Sequence, residues 1–158
     1  MSDKMRWKYG DTNSVVAAVD AETVIEIGDL LWMDDTGSTR PASKLDLSKL
    51  SNLGQEQFAD KFLGVAMQRS SRGTTDSLRV ATTGVFEFDC PSTTFEIGDL
   101  IGVDTGLHSG GLLNQQVYYA TGSANAVARV AKREPSAVTS VLINIRSTIM
   151  TGGILSRS

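Results

Sequence analysis

The stretch Glu26–Asp34, EIGDLLWMD, returns as EIGDLIGVD at Glu96–Asp104, with its first five letters and its last unchanged. A fixed phrase written twice in 158 residues implies a duplicated supersecondary unit, two copies of which share one core. The phrase is turn chemistry leading into a strand. Gly28 and Gly98 can take positive φ without steric cost, and Asp29 and Asp99 can bond to nearby backbone. Leu30-Leu31 and Leu100-Ile101 then open short strands that end in acidic turns at Asp34-Asp35 and Asp104-Thr105-Gly106. The echo continues downstream. FLGVAMQR (62–69) resembles AVARVAKR (126–133), and SLRVAT (77–82) matches SVLINI (140–145) in pattern.

The rest of the text is short β-branched and aromatic runs punctuated by Gly, Asp, Ser and Thr. TVIEI, SLRVATTGVFEF, QVYYAT, AVARVA and TSVLINI read as strands. In the second of these the alternation slips near Gly84, the mark of a bulge. The exception is residues 43–61. There Leu47, Leu50, Leu53 and Phe58 recur at near-helical spacing, predicting one or two short helices laid over the sheet. The expected fold is mainly β: a small β-barrel or β-sandwich built from two similar halves with one short helical insertion. We expect an extended N-terminal arm over 1–14, a single β domain over 15–150 with halves at about 22–88 and 92–150, and a flexible tail over 151–158.

Composition narrows the function. A net charge of −3 and a pI near 5.1 argue against general nucleic-acid affinity. No apolar run approaches the roughly 20 residues that span a bilayer, and the amino terminus lacks the apolar core of a signal peptide. The single cysteine, Cys90, excludes an internal disulfide and suits a reducing cytoplasm. It reads as a small buried hydrophobe rather than a nucleophile.

Glu26, Asp29, Asp34 and their copies Glu96, Asp99 and Asp104 fit no 12-residue calcium loop, so Gly28, Asp29, Gly98 and Asp99 read as structural turns. The lone histidine, His108, sits in a glycine-rich loop with neither a nucleophile elbow nor a phosphate loop around it. No catalytic, metal or cofactor residue is expected. The arm MRWKY alternates Arg6 and Lys8 with Trp7 and Tyr9. That pattern suits a protein interface, packing on the chain's own sheet, or stacking on bases, with the last disfavoured by the acidic chain.

FLGVAMQRSSRG, LRVATTGVFEFDCPSTTFEIGDLIGVD, NQQV and AVARVAKREPSAVTSVLINI together resemble the capsid cement, or head decoration, proteins of tailed bacteriophages. The likeness rests on Gly64-Val65-Ala66, Val80-Ala81-Thr82, Gly84-Val85-Phe86, Gly98-Asp99 and 141–145, and runs from about Tyr9 to Ile145. It implies a β-rich structural protein without catalytic residues. Such a protein binds the major capsid protein on the outer surface of an expanded head, after synthesis in the host cytoplasm. The resemblance also implies self-association, a homotrimer ahead of a dimer, with no membrane or direct nucleic-acid partner. Interface candidates are Arg6, Trp7, Lys8, Tyr9, Leu50, Phe58 and His108. The alternatives are another virion β module, a head fibre or tail-associated piece, and a small trimeric β enzyme of nucleotide metabolism.

Overall fold

The computed structural model describes residues 3–45, 54–73, 77–105 and 111–154. Among the described residues eleven strands run in chain order: β1 (Trp7–Tyr9), β2 (Ser14–Ala17), β3 (Leu30–Met33), β4 (Thr39–Pro41), β5 (Phe62–Ala66), β6 (Leu78–Ala81), β7 (Thr83–Phe95), β8 (Leu100–Thr105), β9 (Leu112–Tyr119), β10 (Ala128–Val130) and β11 (Glu134–Arg146). Helix α1 (Gly54–Asp60) lies before β5, and α2 (Thr148–Thr151) follows β11.

The strands form two sheets, ordered β2-β6-β5-β3-β4 and β1-β7-β11-β10-β8-β9. With β1 set aside, the second order is the first repeated with each strand replaced by its later counterpart. The pairings agree residue by residue. Leu30 faces Val65 and Leu31 faces Gly64; in the second sheet Leu100 faces Arg129 and Ile101 faces Ala128. Each sheet also curls until its outer strands meet in a parallel bridge, Ala18 with Ser38 in the first and Asp89 with Gln116 in the second. The fold is thus mainly β and barrel-like, built from two similar halves. Each half closes on its own strands, and the halves then pack together.

The seam falls at Thr82–Thr83, where β6 ends and β7 begins. The alternation break near Gly84 is therefore a passage from one sheet to the other. Pairing of β7 with β11 continues through Gly84, which faces Ile145. A register shift does lie beside Gly84, in the pairing of β1 with β7, where Trp7 and Tyr9 face Phe86 and Val85. Thr23–Ile27, expected as a strand, makes one bridge among the described residues, Ile25 with Ser70. Its Ile25 side chain is fully buried all the same.

Both faces of the first sheet are covered, which explains why β5 is buried at all five positions. Leu31, Leu63, Ala66, Leu78 and Val80 fill the inside of the first half with Ala17, Val19 and Ile25. The alternate residues Leu30, Trp32, Phe62, Val65 and Ala81 join Phe86, Phe88, Ile101, Val103 and Ile143 in a larger core between the halves. Gly64 marks a contact where β5 must lie close to β6: a Cβ there would overlap the Ala81 carbonyl oxygen.

The helical insertion is present in part. A single 3-10 turn at Ala42–Lys44 and α1 bracket it, while Leu47, Leu50 and Leu53 lie outside the described residues. Phe58 of α1 is wholly buried and stacks at 5.6 Å on Phe62. The helix also explains a letter on which the two phrases differ. Trp32 is copied as Gly102 because α1 crosses there, and a Cβ on Gly102 would sit 2.5 Å from the Gln55 amide nitrogen. That amide donates to the Val103 carbonyl at 3.0 Å.

Candidate interaction surface around the amino-terminal arm

Both copies of EIGDL fold as the same turn. Asp29 N–H donates to the Glu26 carbonyl at 3.1 Å, and Glu26 N–H donates back to the Asp29 carboxylate at 3.0 Å. In the second copy the same two bonds join Asp99 and Glu96, at 3.1 and 2.9 Å. Gly28 and Gly98 hold φ of 96° and 88°, the left-handed region in which a side chain is strained. Each glycine N–H then donates to the equivalent strand, Gly28 to Ala66 and Gly98 to Val130, both at 3.0 Å.

The surroundings of the two turns differ because the arm covers only the first. Lys4 N–H donates to the Ile27 carbonyl at 2.9 Å, and the Asp3 carboxylate accepts from Ile27 N–H at 2.9 Å and pairs with Arg69 at 2.7 Å. The Ile27 N–H holds the Asp3 carboxyl below its usual range; burial opposes it, and Arg69 adds to the lowering.

The chain then dives between the halves. Arg6, 3% exposed, donates to the Gln115 side-chain oxygen at 3.1 and 2.9 Å and to the Glu87 carbonyl at 3.1 Å, and lies 5.1 Å over the Phe88 ring. The Gln115 amide donates onward to the Asp29 carboxylate at 2.8 Å and to the Ile27 carbonyl at 3.2 Å. Burial pushes the Asp29 carboxyl up to about 6, against the pull of the Glu26 N–H and Gln115. Asp29 is thus both a turn residue and the end of a buried polar relay that crosses from one half to the other. Its copy Asp99 is only half-buried and makes the turn alone.

Past Arg6 the arm joins the sheet edge as β1, with Trp7 opposite Phe86 and Tyr9 opposite Val85. The Trp7 indole N–H donates to the Gly10 carbonyl at 3.1 Å, and Lys8 lies 3.7 Å from Glu87. Met5, Trp7 and Tyr9 nevertheless stay 49%, 41% and 50% exposed. A tied-down arm therefore presents three large apolar side chains to solvent.

The seven candidates separate accordingly. Trp7, Lys8 and Tyr9 are exposed on β1. Arg6 and Phe58, expected at an interface, are buried: Phe58 because its apolar ring leaves water, and Arg6 because Gln115, the Glu87 carbonyl and Asp89 offset the cost of removing its charge from water. Leu50 and His108 lie outside the described residues. Gln115 and the burial of Asp29 were not anticipated. Gln115 stands in a polar NQQ run with no signal of its own, and its partners are remote in sequence.

Cys90 is buried, and its thiol is pushed up to about 11, first by burial and then by Asp89 and Asp104, so it carries little thiolate. Among the described residues no group of three or more His, Cys, Asp or Glu is placed to hold a metal ion, and no helix is long and apolar enough to cross a membrane. No protein-family model matches the chain, and no curated protein matches it.

Proposed function

We propose that this chain is a structural binding protein of the tailed-phage capsid cement kind. It would bind the outer surface of an expanded head, bridge neighbouring major capsid proteins and stabilise the shell. The motif resemblance from Tyr9 to Ile145 supplies the family. The observation that carries a binding role is the arm, where Met5, Trp7 and Tyr9 are exposed on backbone held down by Arg6 and by the pairing of β1 with β7. Aromatic side chains held on rigid backbone give contact area at low entropic cost, which suits an anchor on a partner surface.

Many weak copies clamping subunit junctions would act together through multivalency, so a modest single contact suffices for strong reinforcement. A homotrimer at local threefold positions is the favoured arrangement, and a dimer the second. No step of this role calls for a catalytic residue, metal or cofactor. The test is cosedimentation of purified protein with expanded, undecorated heads. Saturable binding at micromolar concentration is expected, together with greater resistance of decorated heads to heat. Absence of binding at that concentration would overturn the reading.

A further inference from the structure

The repeat equates not only the turns but also the strand residues that follow from them. Ala66 and Val130 close the same bond to their turns, which makes Arg69 and Arg133, three residues further on in each copy, equivalent positions. In the first half, Ile27 N–H and Arg69 together grip one carboxylate, that of Asp3, while the Ile27 carbonyl takes the next backbone N–H. The second half has every part of this cradle, and among the described residues no arm lies upon it. Ile97 is 70% exposed, and among the described residues its backbone N–H and carbonyl make no hydrogen bond. Arg133 turns back instead onto Glu96, at 3.1 and 2.8 Å. The matching Glu26 makes no ion pair among the described residues, its arginine being engaged by Asp3.

We propose that the second turn, with Ile97 and Arg133, is a docking site for an extended, aspartate-bearing segment of a partner protein. The incoming carboxylate takes Ile97 N–H and draws Arg133 away from Glu96, and the following backbone N–H bonds to the Ile97 carbonyl. The chemistry is that of charge-assisted capture combined with one bridge of strand addition. Lys132 beside Arg133 is 62% exposed and pairs with Glu134 at 3.7 Å, so the charge available to the incoming carboxylate is that of Arg133. The occupant is another protein rather than a second copy of this chain. The one segment of this chain shown to fit such a turn is held in place by Arg6, whose burial would be lost if the arm left its own turn. The site stands apart from the capsid reading; if that reading also holds, the donor is the capsid subunit.

The probe is a carboxamide-ended peptide copying residues 1–9, MSDKMRWKY, titrated into the isotopically labelled full chain and followed by amide NMR. Saturable shifts at Ile97 and Arg133 are expected. They should vanish when the peptide carries Asp3→Ala. Affinity should fall at least about tenfold in the Arg133→Ala protein and rise in Glu96→Ala, which frees the guanidinium. No shift at Ile97 up to millimolar peptide would overturn the proposal, as would shifts confined to Ile27 and Arg69, the sign of arm exchange at the first turn. Concentration-dependent self-association abolished by Arg133→Ala would make a second copy the occupant and overturn the commitment to a foreign partner. Head binding, measured separately, distinguishes failure of this site from failure of the capsid reading.

Discussion

Arg6 and Gln115 stand 109 positions apart, yet two hydrogen bonds of 3.1 and 2.9 Å join the guanidinium to the amide oxygen in a buried seam. Through Gln115 that bond reaches Asp29 on the first half, while Arg6 itself also holds the Glu87 carbonyl on the second. The amino-terminal arm is therefore a staple between the halves as well as a surface strand.

Arg6→Ala should destabilise the protein by about 3 kcal/mol, since it leaves Gln115 and the seam without their donor. Urea unfolding followed by tryptophan fluorescence reads this directly. A loss below about 1 kcal/mol would show that water replaces the guanidinium at little cost.

Asp29 should set a pH dependence. Its folded pKa of about 6 lies above the unfolded value of 3.8, so between those pH values the folded state holds more proton than the unfolded. Stability from this group consequently falls as pH rises from about 4 to about 6, by roughly 2–3 kcal/mol, and is flat above that window. Asp34 behaves oppositely. Burial pushes it up, but Thr36, Arg40 and Ser38 outweigh that and hold it far below the usual range, so its stabilisation is present above pH 3.8 and is lost only in stronger acid. Denaturation curves of wild type and Asp29→Asn across pH 4–7 should diverge in slope within the Asp29 window. Parallel curves would refute the assignment.

Gly64→Ala should be among the most damaging small changes. The new methyl overlaps the Ala81 carbonyl oxygen, which is fixed in the ladder between β5 and β6. A loss of about 3 kcal/mol or more, or failure to fold, is expected, whereas Gly37→Ala on an open turn should cost about 1 kcal/mol through its positive φ alone. Thermal melts of the two variants side by side test the difference.

Trp7→Ala combined with Tyr9→Ala should separate binding from folding. Both side chains are about half exposed, so their removal should leave unfolding free energy within about 1 kcal/mol of wild type. Cosedimentation with undecorated heads should nevertheless be lost. Retained binding by the double variant would move the contact surface elsewhere on the molecule.

Much of this fold is legible in the letters, and the repeat shows why. An aspartate bonding three residues back and a glycine at positive φ are local events, fixed by residue type and spacing, so EIGDL forms the same turn at Glu26 and at Glu96. The match of FLGVAMQR with AVARVAKR likewise aligns strands that carry equivalent pairings, because alternation of side chains locks register to burial. The expected strand at Thr23–Ile27 fails for a tertiary reason: Ile25 is buried by a single bridge to Ser70, and among the described residues no neighbouring strand extends the ladder.

Residue order alone dictates a β protein in two similar halves, with glycine-aspartate turns and a helical insertion in the first. Long-range packing sets the rest: each half closes on its own strands, Phe58 is core, and Asp29 and Asp99, identical in letter and in turn, live in different media. The difference is one of range. Turn chemistry acts within four residues, whereas the burial of Arg6, Gln115 and Asp29 depends on which surfaces meet when the arm crosses the seam, and low dielectric there makes pairing obligatory.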